Sequence, residues 1–339
     1  MAPQEWPIAV NSADRMVDSA TSRGPSRLTT VRRDFFLDPS DRLTEQERAL
    51  MTAMLHDLVA TLAAAIRAAV GGDTSKDEPS EIVGRLGRAG LLDLPDFIRL
   101  MLRRADEQRI FGAFAGHAGQ RRLPLLPKLI SDSDPGVASA AMALVVARGR
   151  RRDDFGQPRV DPCDLDPRDA SALAHAVAVA LSPDTSSDGR LAAAASAVIE
   201  AIDTDESLDR AVETLVDALD RNGRADEAMV EAASGEGEVA LVAMLTARRA
   251  GINQPAVWDH LVNAGEGGLA LVARVAGFGR PAAARLIADL GSATSSWSVE
   301  EEIGRYDDLT VADVAAALQH WQLPPDYRAA KSAIGGRRG

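Results

Sequence analysis

The adjacent pair His56 and Asp57 has the clearest chemical potential in this sequence. Phosphoacceptor histidines of two-component signalling are presented on bundle helices, where a neighbouring acid assists the transfer. His56 also lies on a segment with helical periodicity, which keeps it as a candidate phosphoacceptor. The simpler alternative is an ordinary surface histidine, because His56 falls between two apolar rows and the sequence has no recognisable kinase ATP-binding motif.

Two groups of arginines are candidates for binding a small anion or a nucleotide. The first group follows one helical segment and the second lies where another helical segment ends. Positive charge at a helix carboxyl end also complements the helix dipole, so the second group has a structural alternative. The candidate anion-binding residues are Arg99, Arg103, Arg104, Arg150, Arg151 and Arg152.

The acidic charge of the chain is concentrated in one segment. Residues 161–291 hold 22 Asp and Glu against 10 Arg and no Lys, a balance of −12, so the rest of the chain sums to zero. Such a surface repels nucleic acid and anionic lipid and favours a protein partner with a basic surface. The alternative is that the charge only maintains solubility. A spacing of four residues predicts one exposed helix stripe for the candidate partner-binding residues, Asp205, Asp209, Glu213 and Asp217.

A cluster of aspartates from Asp161 to Asp169 offers oxygen ligands for a hard cation. It lacks the glycine and the final glutamate of a calcium loop, and Asp166 followed by Pro167 is typical of a helix start. The remaining histidines have no paired zinc spacing, no Gly-x-Ser-x-Gly elbow occurs, and Cys163 has no local nucleophile context. We therefore expect neither a metal, a cofactor nor an enzymatic activity.

The composition favours helices that pack closely. The chain is 46% hydrophobic but only 4% aromatic, and alanine, the best helix former, supplies much of the apolar content. The single cysteine fits a reducing compartment, and no uninterrupted apolar run is long enough to span a bilayer. The sequence therefore predicts an all-α, cytoplasmic protein without a membrane segment.

A long amphipathic helix is predicted from Thr44 to Gly71, where Thr44 and Glu47 form a capping box. Two adjacent apolar rows follow the capping box, one of Leu50, Met54, Leu58, Leu62 and Ile66 and the other of Met51, Leu55 and Val59. The two shorter helices next in the chain are too few to cover both rows. We therefore expect an N-terminal helical bundle over residues 41–120, which forms a homodimer through the uncovered rows. Residues 1–40 are predicted to be a flexible arm.

Short helices separated by Gly, Asp or Pro turns are predicted over residues 121–291. Two segments 30 residues apart, GEGEVALVAML from Gly235 and GEGGLALVARV from Gly265, indicate an internal repeat. Helix pairs at this period stack into HEAT-like α-solenoids. Residues 292–339 are predicted to form a linker, a C-terminal helix capped by Thr310 and Asp313, and a frayed tail.

The run RLTEQERALMTAMLHDLVATLAAAIRAAV, the repeat pair within Asn222–Leu290 and the closing YDDLTVADVAAALQHW resemble the DUF2336 family of bacterial, mainly alphaproteobacterial, proteins. The resemblance covers roughly residues 30 to 328 and implies a HEAT-like helical-repeat protein with no assigned activity. Together with the acidic segment, it predicts a non-enzymatic scaffold or regulator in bacterial signalling. The alternative is a signalling component that accepts phosphate on His56 or binds an anion at the arginines.

Overall fold

The computed structural model describes residues 44–71, 76–115, 124–182, 187–262, 267–294 and 298–324, together with 327–328, 330–331 and 334. The predicted arm and the end of the predicted tail lie outside these residues. The described chain is helical without a strand, and its one isolated β-bridge joins Arg152 to Pro158. The predicted all-α class is confirmed.

The described residues divide into two compact units. The N-terminal unit combines residues 44–108 and 126–218, and the C-terminal unit combines residues 109–115, 124–125 and those from 219 onwards. The helices, of which α3, α4 and α8 cross the unit boundary, are α1 (Glu45–Val70), α2 (Pro79–Arg88), α3 (Pro95–Ala115), α4 (Leu125–Ile130), α5 (Pro135–Arg150), α6 (Pro167–Ala180), α7 (Asp188–Glu200), α8 (Leu208–Arg221), α9 (Glu227–Ser234), α10 (Val239–Ala250), α11 (Gln254–Val262), α12 (Gly268–Val275), α13 (Arg280–Thr294), α14 (Val299–Asp308) and α15 (Val311–Trp321).

Helix α1 forms the core of the N-terminal unit. It begins at the predicted capping box, in which the Thr44 hydroxyl accepts from the Glu47 amide, 3.1 Å. Both apolar rows are buried apart from the partly buried Leu50, and α1 packs against α2, α6 and α7 of the same chain. The bundle was predicted to end at residue 120, but the N-terminal unit also includes residues 126–218. The reason is that α6 and α7, together with α2, cover the apolar surface of α1. The apolar rows therefore need no second subunit, and the argument for a dimer through this bundle no longer holds.

The length and composition of α1 alone would allow it to cross a membrane. Half of its most apolar stretch is buried inside the protein. Core helices of soluble proteins meet the same criterion of length and hydropathy, and α1 packs against α2, α6 and α7. This one helix is therefore only weak evidence for a membrane segment.

Helix α12 lies at the centre of the C-terminal unit. Its side chains from Leu269 to Ala273 are buried, and it packs against α10, α11, α13, α14 and α15. The two segments of the predicted repeat form α10 and α12, which contact each other. The predicted linker from Ser292 is shorter than expected, because α13 continues past Gly291 to Thr294 and α14 begins at Val299. The predicted C-terminal helix is α15, and Thr310 and Asp313 cap it as expected.

Candidate functional site: an arginine–carboxylate network and an acidic helix face

Residues from both predicted sites meet at Asp209 of α8. Arg103 donates to the Asp209 carboxylate, and Nη2 of Arg104 donates to Oδ1 of Asp209 at 3.2 Å. Burial acts to raise the pKa of Asp209, but the two guanidinium groups outweigh it and lower that pKa to about 2. From the sequence, Arg103 and Arg104 were predicted to bind an anion and Asp209 to bind a protein partner. In the structure they neutralise one another inside the N-terminal unit.

Arg104 is the most buried member of this network, with 3% of its surface exposed. Burial opposes its charge, but Glu107 and Asp209 outweigh that effect, so the pKa of Arg104 lies above its ordinary value. The Glu107 carboxylate accepts from Nη1 of Arg104 at 2.8 and 3.0 Å. A buried charge that loses its partners is strongly destabilising, so this cluster holds α3 and α8 together.

A second buried pair joins Arg151, at the end of α5, to Asp164. The Asp164 carboxylate accepts from Nε of Arg151 at 3.0 Å and from Nη2 at 2.9 Å, with side-chain exposures of 4% for Arg151 and 1% for Asp164. Asp164 also accepts from the Leu208 amide at 2.8 Å and so caps the start of α8. Nη2 of Arg151 donates to Sγ of Cys163 at 2.9 Å, and burial raises the pKa of that thiol to about 12.

The other three arginines of the predicted anion site also bind acceptors of the chain. Arg99 pairs with Asp96, Arg150 with Glu206 at 2.9 Å, and Arg152 donates to the Gly156 carbonyl oxygen at 2.9 Å. All six candidate arginines therefore donate to the protein itself. An external anion would have to displace these internal acceptors.

The predicted acidic stripe needs one correction. Asp205 lies in the 3-10 turn Thr204–Glu206 and not on α8, because the chain is extended at Ser207 before α8 begins. Its side chain is 84% exposed, whereas Asp209 is held in the network above. Glu213 accepts from Arg210 at 2.7 Å, and Asp217 lies half-buried one turn further along α8. We call Asp205, in the turn before α8, together with Glu213 and Asp217 of α8 the α8 acidic face.

His56 lies on α1 and is partly exposed. Its neighbour Asp57 accepts from Nε of Arg159 at 2.8 Å, and this hydrogen bond raises the pKa of Arg159. The carboxylate that was expected to assist phosphate transfer is therefore engaged by an arginine 102 positions away.

The aspartate cluster matches the capping alternative. Asp161 accepts from the Cys163 amide at 3.1 Å and Asp166 from the Arg168 amide at 2.8 Å, each at a helix start. Asp169 accepts from the Phe97 amide at 2.8 Å and caps α3. Across the described ranges, no group of three or more His, Cys, Asp or Glu side chains is placed to hold a metal ion.

Three carboxylates that the sequence did not indicate cap distant helices or turns. The buried Glu302 accepts from the amides of Gly267, 2.9 Å, and Ala270, 2.8 Å, at the start of α12. Glu236 accepts from the Leu125 amide at 2.6 Å, and Glu227 from the Gly279 amide at 3.2 Å. Local capping motifs have a spacing of three residues, so no sequence pattern shows pairs separated by 32 to 111 positions.

The fold and the network define an all-α protein in which charged side chains mostly join helices to one another. Residues 118–319, more than half of the chain, match the family described as "Uncharacterised protein conserved in bacteria (DUF2336)". The chain belongs to this family, as the resemblance implied. No curated protein and no solved structure matches it.

Proposed function

We propose that this protein is a non-enzymatic interaction scaffold or regulator that binds a protein partner with a basic surface. The supporting observation is the α8 acidic face, where the side chains of Asp205 and Glu213 are 84% and 41% exposed, whereas Asp209 is the counter-ion of two arginines. We propose that it acts in the bacterial cytoplasm and takes part in signalling.

The physical argument rests on how the acidic charge is distributed. Asp205, Glu213 and Asp217 belong to a segment, residues 184–238, that holds 15 acidic residues against 4 arginines. Like charges that lie close together add into a field that accelerates the encounter with a basic partner. At physiological ionic strength exposed charges are screened beyond about 8 Å, so this contribution weakens as salt rises.

The test compares proteins captured from the bacterial host by three forms of the chain. One form carries Asp205→Lys, Glu213→Lys and Asp217→Lys, and the control carries Asp154→Lys, Glu300→Lys and Asp308→Lys, which change the net charge equally. A partner of the acidic face is captured by the wild type and the control but lost from the first variant. Its association rate with the wild type should fall with salt. Equal capture by all three forms would rule out this face as the binding surface.

The alternative function, phosphate transfer to His56, has a separate test. The chain is incubated with radiolabelled acetyl phosphate and compared with His56→Gln. Label on the wild type that is absent from His56→Gln would support this alternative and count against a pure scaffold. The pairing of Asp57 with Arg159 gives the alternative less support than the sequence suggested.

A further inference from the structure

Helix α5 of the N-terminal unit has an apolar face that the described residues leave uncovered. Its inner face, with Val137, Ala141 and Leu144, is buried. On its outer face the exposed fractions are 46% for Met142 and 47% for Val146, and Val145 on the flank is 37% exposed. Contiguous exposed apolar surface of this kind marks sites of protein association.

The outer face of α5 has no charge along most of its length. Between Asp134, which caps the helix, and Arg148 the sequence contains no charged residue. Ser139 and Ala143 share the face with Met142 and Val146, and both are exposed. Small side chains allow another helix to approach at the short end of the usual interaxial range of about 8–10 Å. The outer face of α5 therefore allows another helix to pack closely, and it offers few polar groups to water.

The charges at the two ends of α5 are opposite. Asp132 and Asp134 precede the helix, and Arg148 and Arg150 lie in its last turn. The 16 residues of α5 separate these charges by about 24 Å, at 1.5 Å per residue. Two such helices in antiparallel orientation would place the acidic end of each beside the basic end of the other. The positive end of each helix dipole would also lie beside the negative end of the other, which is favourable.

The outer face of α5 is therefore complementary to itself, so the partner that best fits it is a second copy of the same helix. We propose that α5 packs antiparallel against α5 of a second copy of this chain, across a two-fold axis that passes between Met142 and Ala143. In this register Ser139 of each copy faces Val146 of the other, and Pro135 faces Arg150. The pair between Arg150 and Glu206 is exposed on both sides and contributes little, so Arg150 is available to exchange partners.

The first test measures the mass of the full chain against its concentration. A single helix pair buries less than about 1,200 Å², which is typical of weak association. Sedimentation equilibrium should therefore show a shift from monomer to dimer between roughly 5 and 500 µM. Val146→Glu should abolish the dimer, whereas Val179→Glu, the same substitution at a 72% exposed site on α6, should leave it unchanged. Circular dichroism verifies that both variants stay folded.

A persistent dimer in Val146→Glu, or a monomeric wild type over the whole range, would overturn the proposal. Arg150→Glu leaves the apolar face intact and should raise the dissociation constant several-fold, because it places like charges beside Asp132 and Asp134. No change in that variant would contradict the antiparallel orientation.

The second test locates the axis by disulfide trapping. Met142→Cys lies beside the axis and should cross-link to itself on oxidation, whereas the native Cys163 is buried and should not react. Ser139→Cys and Val146→Cys should each stay uncrosslinked alone but form a mixed disulfide when combined. Efficient self-cross-linking of Ser139→Cys would show a parallel pairing and refute the geometry. Failure of Met142→Cys in a dimeric chain would place the interface elsewhere.

Discussion

Asp209 shows how a single carboxylate can change its role between sequence and structure. Its position on α8 suggested a free surface charge, yet it is the shared counter-ion of Arg103 and Arg104. Its own side chain is 46% exposed, whereas that of Arg104 is 3% exposed, so the cost of losing the contact falls mainly on the arginine. The Asp205 carboxylate, four residues earlier, pairs with Arg210 at 3.7 Å in an exposed turn. Asp205 is therefore a suitable control for substitutions of Asp209.

We predict that Asp209→Asn lowers the free energy of unfolding by about 1–3 kcal/mol, because it removes charged hydrogen bonds from Arg104. Asp205→Asn should change it by less than about 0.5 kcal/mol. Urea denaturation followed by circular dichroism measures both, since the N-terminal unit contains no tryptophan. Because the pKa of Asp209 is lowered to about 2 in the folded state, its contribution is present above about pH 4 and is lost as the pH falls towards 2. Equal effects of the two substitutions would contradict this assignment.

His260 of α11 is a second residue whose surroundings predict a measurable effect. It is 2% exposed, its Nδ1 contacts the Ala256 carbonyl oxygen at 2.9 Å, and its ring meets Trp321 edge-on with centroids 4.8 Å apart. Burial lowers its pKa to about 4, and the charges of Arg328 and His320 act in the same direction. The imidazole is therefore neutral in the folded protein at pH 7.

The folded pKa of His260 lies below the ordinary value of about 6.5, so the unfolded state binds more protons between these values. The contribution to stability is complete above about pH 6.5 and is lost as the pH falls towards 4, by up to about 3 kcal/mol. His260→Phe should abolish this loss, and His175→Phe, at an exposed histidine of α6, should retain it. Tryptophan emission during urea denaturation at pH 7 and pH 5 reports the difference. A wild-type chain equally stable at both pH values would disprove the effect.

At the scale of elements, turns and caps depend on partners far away in sequence. The turn after α9 contains Gly237, which has a φ of +71° and lies against the ring of Phe114 from α3. A Cβ at this position would lie 2.8 Å from the phenyl ring. Glycine is therefore required here both by the left-handed backbone and by the close approach of the ring.

We predict that Gly237→Ala destabilises the C-terminal unit more than Gly251→Ala does. Gly251 has a similar φ of +66°, but its Cβ would meet nothing within 4 Å, so that substitution introduces only backbone strain. The additional cost at Gly237 is overpacking, typically about 1–3 kcal/mol. Urea midpoints from tryptophan emission give the comparison. Similar midpoints would mean that Phe114 moves aside without cost.

At the scale of the whole molecule, the family match and the packing units do not coincide. The match covers residues 118–319, whereas the N-terminal unit also needs α1 and α2, which precede it. Helix α1 covers α6 and α7, whose buried residues include Leu173, Val177 and Leu191. The matched segment alone would therefore expose part of a hydrophobic core.

We predict that a truncated chain of residues 124–339 binds a hydrophobic dye and loses cooperative unfolding of its α6–α7 region, because α1 no longer covers it. A chain of residues 44–339 retains every contact that the structure describes for α1 and should behave like the full chain. Dye fluorescence and circular dichroism melts distinguish the two. Native-like melting of residues 124–339 would show that α6 and α7 need no cover from α1.

The sequence by itself determined the helical class, the family and the local helix starts. The capping boxes at Thr44 and Thr310 and the apolar rows of α1 depend on residues three or four positions apart, which any helix brings together. The tertiary structure decided which charges are internal and which apolar face is covered. Asp209 meets Arg103 across 106 positions, and α6 and α7 cover α1 while α5 stays exposed. These outcomes depend on how the chain folds back on itself, and no periodicity along the sequence contains that information.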